Sequence, residues 1–245
     1  MRKILTLTLT AFVAVLSGCA SYKTPGAKAD LQALAPYEIQ KGFATKPSNP
    51  FPAAIVAARV QANNYSNYAL SRNGGKYGQG RFSVITVREV EEQSAIDRIT
   101  KLPEVTGAIA LNRMLIPETL NSYDDLRAGA SQLHADLLLV YTFDTAFFDR
   151  DASKPLTVIT LGLSPTRKIK ATSTASALLI DTRTGFIYGT FEATEQRDVL
   201  STSWGSNDSA DEARKDAEKA AFNQLVGEFE KTWPSLVEKA RSKSS

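Results

Sequence analysis

The stretch that decides the fold runs from Leu133 to Gln196. It opens LHADLLLVYTFDTAFFD at 133–149, continues PLTVITLGL at 155–163, and closes KIKATSTASALLIDTRTGFIYGTFEATEQ at 168–196. Leu137, Leu138, Leu139 and Val140 form a continuous apolar run, followed by Tyr141 and Phe143. A run apolar on both faces suits a central strand covered on both sides. The β-branched and aromatic residues that follow favour a strand over a buried helix segment. Ala177, Leu178, Leu179 and Ile180 repeat the pattern, and Asp181-Thr182-Arg183-Thr184-Gly185 comes next. Asp bonds its own following backbone and Gly accepts positive φ, so this pentapeptide predicts a tight turn. The reading is a β-hairpin with arms at 170–181 and 186–196.

Downstream, Ser209 and Glu212 have the spacing of a capping box. Ala213, Ala217, Ala220, Ala221, Leu225, Phe229 and Trp233 then form one apolar stripe of a long helix, with Lys and Glu elsewhere. Its polar face mixes both signs, which favours packing on the sheet over lying on a membrane. Upstream, Ser122 with Asp125 starts a helix whose Tyr123, Leu126, Ala130 and Leu133 share a face. Gly107 to Ile116 reads as a strand closed by Pro117. Gln93 to Leu102 reads as a short helix with Ile96, Ile99 and Leu102 at three-residue spacing, and Phe82 to Val87 as a strand. Phe51 to Gln61 is rich in alanine, which suits a helix, but Ile55, Val56 and Val60 after a Pro-rich approach favour a first buried strand. Asn73-Gly74-Gly75 and Gly78-Gln79-Gly80 flank Tyr77 and read as a mobile loop. They lack the GK[ST] or GxGxxG context of a phosphate cradle. The order strand–helix–strand–helix–strand followed by hairpins predicts an α/β fold. It is a single three-layer domain, with a mixed sheet flanked by helices, over 51–240.

The N-terminal 18 residues read as a targeting segment. Arg2 and Lys3 precede an apolar stretch from Ile4 to Leu16 that is too short to span a bilayer. It ends Leu16-Ser17-Gly18-Cys19, which resembles a bacterial lipoprotein lipobox. The resemblance implies cleavage before Cys19 and acylation of that residue. An ordinary secretory signal followed by a chance cysteine is the alternative. Ala20, where Asp would mark retention at the inner membrane in that class, implies an outer-membrane anchor facing the periplasm. Residues 19–50 carry four prolines and few bulky apolar side chains and read as a tether, with Tyr37, Ile39 and Phe43 as its candidate docking residues.

Cys19 is the only cysteine, so neither a disulfide framework nor thiol chemistry is expected. The chain holds 29 Lys and Arg against 26 Asp and Glu, and removal of Arg2 and Lys3 leaves it nearly neutral. That excludes a global electrostatic case for nucleic acid.

The order of elements resembles a group of bacterial envelope lipoproteins that includes CsgG, LpoB and the N-terminal domain of TolB; rhombotarget-type lipoproteins share the layout. Two pieces carry it: Leu126 to Asp144, a helix ending in Ala-Asp before an apolar strand, and the hairpin ALLIDTRTGFIYGTF at 177–191. The resemblance implies a non-enzymatic role in binding or assembly. The long amphipathic inserts of a barrel-forming member are missing, and the tether is shorter than that of an activator reaching through peptidoglycan.

Candidate chemistry is sparse. His134 is the only histidine and sits near Asp136, where a hydrolase would use it; a cation at a helix C-terminus is the plainer account. Asp144, Asp149 and Asp151 would have to converge to hold Ca²⁺ and match no EF-hand spacing. Ser173 and Ser176 lack the G-x-S-x-G elbow. No catalytic set, cofactor or metal is expected. For a partner surface the sequence offers Leu156, Val158 and Leu161 on an edge strand, and Arg167, Lys168 and Lys170 on a basic turn. Another envelope protein or a second copy of the chain is the expected partner.

Overall fold

Residues 28–29, 39–48, 50–87, 93–151, 167–201 and 206–242 are described in the computed structural model. In chain order the helices are α1 (Ile39–Ala44), α2 (Tyr68–Asn73), α3 (Gln93–Thr100), α4 (Tyr123–Gln132) and α5 (Ser206–Ser242). The strands are β1 (Ala53–Ala62), β2 (Lys76–Tyr77), β3 (Gln79–Gly80), β4 (Phe82–Ile85), β5 (Val105–Ala110), β6 (Thr119–Leu120), β7 (Leu137–Asp151), β8 (Arg167–Asp181) and β9 (Ile187–Ser201).

Hydrogen bonding orders the main sheet β2–β4–β1–β7–β8–β9, with β5 also paired to β1. β1 is parallel to β5 and β7 and antiparallel to β4, while β7, β8 and β9 form an antiparallel meander. The sheet is therefore mixed, as expected. β1 is central and apolar on both faces. Ile55 and Ala57 point into one cluster with Leu137, Leu139, Leu179, Leu225, Phe229 and Trp233. Val56, Ala58 and Val60 point into the other, with Phe82, Leu126, Leu138 and Val140. α5 and α3 cover the first face and α4 the second, which gives the three layers of the α/β reading.

The meander is longer than its sequence pattern indicates. β8 begins at Arg167 and β9 runs to Ser201, each strand about 50 Å long. Arg167, Lys168 and Lys170 are therefore not in a solvated turn. They pair with Asp151, Arg150 and Phe148 of β7. The small residues of Ala171 to Ala177 pack at strand spacing beneath the alanines of α5, Ile169 and Ala171 against Ala210, Ala213 and Ala217. That cover extends the hairpin beyond its apolar tip.

α5 begins at Ser206, one turn ahead of the expected start at Ser209, and Asp208 places a carboxylate in its first turn. Pro234 removes one internal hydrogen bond, yet the helix continues. Trp233 on one side and Leu236, Val237 and Ala240 on the other are all buried on the sheet. Gly74 to Gly80 is organised, contrary to the mobile loop expected: Gly78 and Gly80 take positive φ so that β3 can lie beside β6. A Cβ at Gly80 would meet the Leu120 carbonyl oxygen at 2.6 Å. The strand expected over 107–116 stops at Ala110, because the Asn112 side chain accepts a hydrogen bond from the Met114 N–H and turns the chain into a 3-10 helix.

Part of the 19–50 segment docks on the domain. Ala29 is buried and its N–H donates to Thr142 Oγ1 at 3.3 Å. Ser48 reaches Asp181. Phe43 does not dock; it is 90% exposed.

Candidate functional site

The two sequence pieces singled out for resemblance meet at one end of the sheet. Asp136 precedes β7, and its Oδ2 accepts from the Ala54 N–H at 3.0 Å while its Oδ1 accepts from Arg183 Nη1 at 2.8 Å. Asp181 ends β8 and is fully buried. Its Oδ1 accepts from the N–H groups of Arg183 and Thr184, and its Oδ2 from the Ser48 N–H and hydroxyl and from the Tyr188 hydroxyl. Burial alone would raise its pKa. The Ser48 hydroxyl and N–H, with Thr184 and Tyr188, outweigh it and hold the carboxyl below its ordinary value. Gly185, at φ 76°, closes the turn with its N–H on the Asp181 carbonyl. Arg127 of α4 clasps the same turn through the Thr182 and Arg183 carbonyls.

His134 stands beside this node in a backbone role. Its N–H donates to the Ser131 carbonyl and the Ala135 N–H to the Ala130 carbonyl, with His134 itself at φ 53°. That is a Schellman termination of α4, with histidine at the left-handed position usually given to Gly or Asn. The imidazole is exposed, and the Asp136 carboxylate is engaged by Ala54 and Arg183. The two do not form an acid–base pair.

A second group of charges lies between the sheet and α5. Arg59, Arg214, Glu218 and Asp211 are 3%, 0%, 0% and 3% exposed. Glu218 Oε2 accepts from Arg214 Nη1 at 2.8 Å and from Arg59 Nη2 at 3.2 Å, and its Oε1 from Thr145 at 3.1 Å. Arg214 Nε donates to Asp211 at 3.0 Å. Arg59 also bonds the Tyr65 hydroxyl and lies 4.6 Å from the Phe143 ring centre. Burial by itself would depress the Arg214 pKa; the Glu218 and Asp211 carboxylates raise it instead. The Tyr65 hydroxyl is pushed up, chiefly by burial. Lys215 of α5 also pairs with Asp211 at 3.1 Å, and the cluster fixes α5 on β1 and β7. The reading of a helix with charges only on its outer face missed Arg214 and Glu218. A signal was present: 211, 214 and 218 fall on the 217–221–225 side of α5, and Arg59 is the one charged residue of β1.

A concavity beside this cluster is formed by a fork in the sheet edge. β5 leaves β1 after Ala57, and β4 joins it only at Val60. The gap is a groove of about 240 Å³ whose lining includes Arg59, Tyr141, Thr86, Asn112 and Arg113. Arg113 stacks on Tyr77 and donates to its hydroxyl at 3.1 Å. Ile109 and Met114 stand exposed at the rim. Among the described residues its wall holds no carboxylate, imidazole or thiol.

The other expected sites are placed as follows. Asp144 is exposed on β7, and Asp149 and Asp151 lie further along the same strand. Among the described residues no group of three or more His, Cys, Asp or Glu side chains is placed to hold a metal ion. Ser173 is buried with its hydroxyl 3.0 Å from that of Thr145; Ser176 donates to Glu192. Cys19, Leu156, Val158 and Leu161 lie outside the described residues. Among the described residues no helix is long and apolar enough to cross a membrane.

No family model matches the chain, and no curated protein matches it. Solved structures give loose likenesses. A Xanthomonas campestris protein of the DUF330 family is 11% identical, with 91% of this chain and 99% of that one covered at a TM-score of 0.36. A Helicobacter pylori homolog of the neuraminyllactose-binding hemagglutinin is 11% identical, covering 85% and 95% at 0.34. A lipoprotein from Neisseria meningitidis is 13% identical, covering 60% and 84% at 0.29.

Proposed function

We propose that this chain is a lipid-anchored lipoprotein of the bacterial envelope, held on the periplasmic side of the outer membrane, whose α/β domain acts by binding another envelope protein. The observation that carries the reading is the tetrapeptide Leu16-Ser17-Gly18-Cys19 at the end of a short apolar stretch behind Arg2 and Lys3. Acyl chains on Cys19 would hold the domain at the bilayer, each buried methylene contributing about 0.8 kcal/mol. The binding role is supported by how the charged groups are used. Asp136 and Asp181 close a turn, and Arg59, Arg214, Glu218 and Asp211 are paired with one another beneath α5.

Metabolic labelling with a fatty acid tests the anchor: the natural chain takes up label and fractionates with the outer membrane, and Cys19→Ser does neither. Equal labelling of the two would sink the reading. In-cell crosslinking followed by mass spectrometry tests the binding role, which requires one dominant envelope protein in the captured material.

A further inference from the structure

β9 pairs with β8 along its whole length, and among the described residues nothing pairs with its other edge. A fifteen-residue edge without proline is a ready template for another strand. Sheet edges are usually guarded by charged side chains, lysine above all, by proline or by a bulge. β9 has no lysine or proline, and its one register shift lies near the turn, opposite Leu179 and Ile180. The charges it does carry are arranged in a self-complementary way. Phe191 and Ala193 face α5, so Glu195 and Arg197 continue the same face, 2.9 Å apart, and share a shallow groove with Asp216, Lys219, Ala220 and Asn223 of α5.

We propose that β9 is the pairing edge for a second copy of this chain, joined antiparallel about a two-fold axis through Gln196. A perpendicular two-fold keeps each face of the sheet on its own side, so only residues of like parity meet. Centring the axis on Gln196 sets Glu195 opposite Arg197 of the second copy twice over, Thr194 opposite Asp198, and Ala193 opposite Val199. Centring it one residue earlier sets Glu195 against Glu195 and Glu192 against Asp198. One residue later sets Arg197 against Arg197. Like charges directly opposite one another destabilise a strand pair and opposite charges stabilise it, so the Gln196 register is selected. α5 lies over both β8 and β9. Its symmetry mate would run about 10 Å away, an ordinary helix packing distance. Ala220, a small residue, lies in the groove level with the axis. The two seven-stranded sheets would become one continuous sheet with α5 and its mate paired on one face.

The test uses the full chain in its membrane or in detergent, with a short bifunctional maleimide. Gln196→Cys places a thiol on the axis. Thr190→Cys places one on the same strand, about 40 Å from its mate in the dimer. The natural chain, with Cys19 alone, sets the background. The expected result is a crosslinked homodimer from Gln196→Cys and only background from Thr190→Cys. Adding Arg197→Glu should weaken dimer formation by roughly tenfold, and the exchange Glu195→Arg with Arg197→Glu should restore it. Circular dichroism of each variant establishes that it is folded. Equal crosslinking at 190 and 196, no dimer above background from Gln196→Cys, its crosslinking to a different protein instead, or failure of the charge exchange to rescue would each overturn the proposal.

Discussion

Two regions of this domain set carboxylates against arginines, and they do so under opposite conditions. At the turn, Asp181 takes backbone N–H donors from Arg183 and Thr184 next to it and a further N–H and hydroxyl from Ser48, 133 residues away, and Asp136 meets the exposed Arg183. Beneath α5, Glu218 has no local backbone partner; it is held by Arg59 from 159 residues away, by Thr145, and by Arg214 one helical turn before it. The turn node has a local half, the Arg183 and Thr184 N–H groups on Asp181, to which Ser48, Asp136 and Arg127 are added by the fold. The buried cluster exists only once α5 has reached the sheet. A charge taken out of water by tertiary packing depends wholly on its partners. One held by backbone donors at a turn depends on them only in part.

The largest effect is therefore expected at Glu218. Glu218→Ala leaves two buried guanidinium groups without their shared carboxylate and should cost about 3–5 kcal/mol, read as a shift in denaturant midpoint. Replacing Arg59, Arg214, Glu218 and Asp211 together by apolar residues of similar volume should recover most of that loss. If the fourfold variant is no better than the single one, the cluster is needed for the fold itself and the contrast sharpens. Asp181→Ala comes next, at roughly 2 kcal/mol, because several buried donors lose one acceptor. Its contribution also has a defined pH dependence. The folded carboxyl titrates below its unfolded value, so its stabilisation is complete above the ordinary carboxylate range, near pH 4, and fades as pH falls through the folded pKa. Asp181→Asn should show a constant deficit at neutral pH that narrows in acid. A deficit that grew in acid would contradict the hydrogen-bond assignment.

His134→Gly should move stability the other way, by up to about 1 kcal/mol, since glycine takes φ 53° without Cβ strain. Partner capture in the envelope should be unchanged in that variant; its loss would point to chemistry at the imidazole. The smallest effect is expected from Ser48→Ala, below about 1 kcal/mol. It removes one of the donors to Asp181 and leaves the Ser48 N–H in place.

The contrast also explains what was legible in the sequence. The 177–191 hairpin, the Ser122 capping box and the buried strand at 137 rest on neighbours within a few residues, and those appear in the structure. The Gly185 turn was readable because glycine takes its φ of 76° without Cβ strain. Arg167 to Lys170 reads locally as a basic turn and becomes strand only because β7 and β9 offer backbone partners on both sides. The fork between β4 and β5 depends on two strands that leave β1 in different directions, which no periodicity records. Arg214 and Glu218 look like ordinary surface residues until Arg59 is known to point at them. Of the candidate site, sequence reasoning identified Asp136 and Asp181 as motif residues, and had no means to identify the groove.

Ala29 sets a leash. Its burial against the sheet and its hydrogen bond to Thr142 place a fixed point only ten residues after Cys19. Even fully extended, that many residues reach roughly 30–35 Å. An anchor at Cys19 would therefore keep the Thr142 side of the sheet within one small-domain diameter of the bilayer, with α5 turned away from it. A partner approaching from the lumen of the periplasm would meet α5 and the outer edge of β9 first.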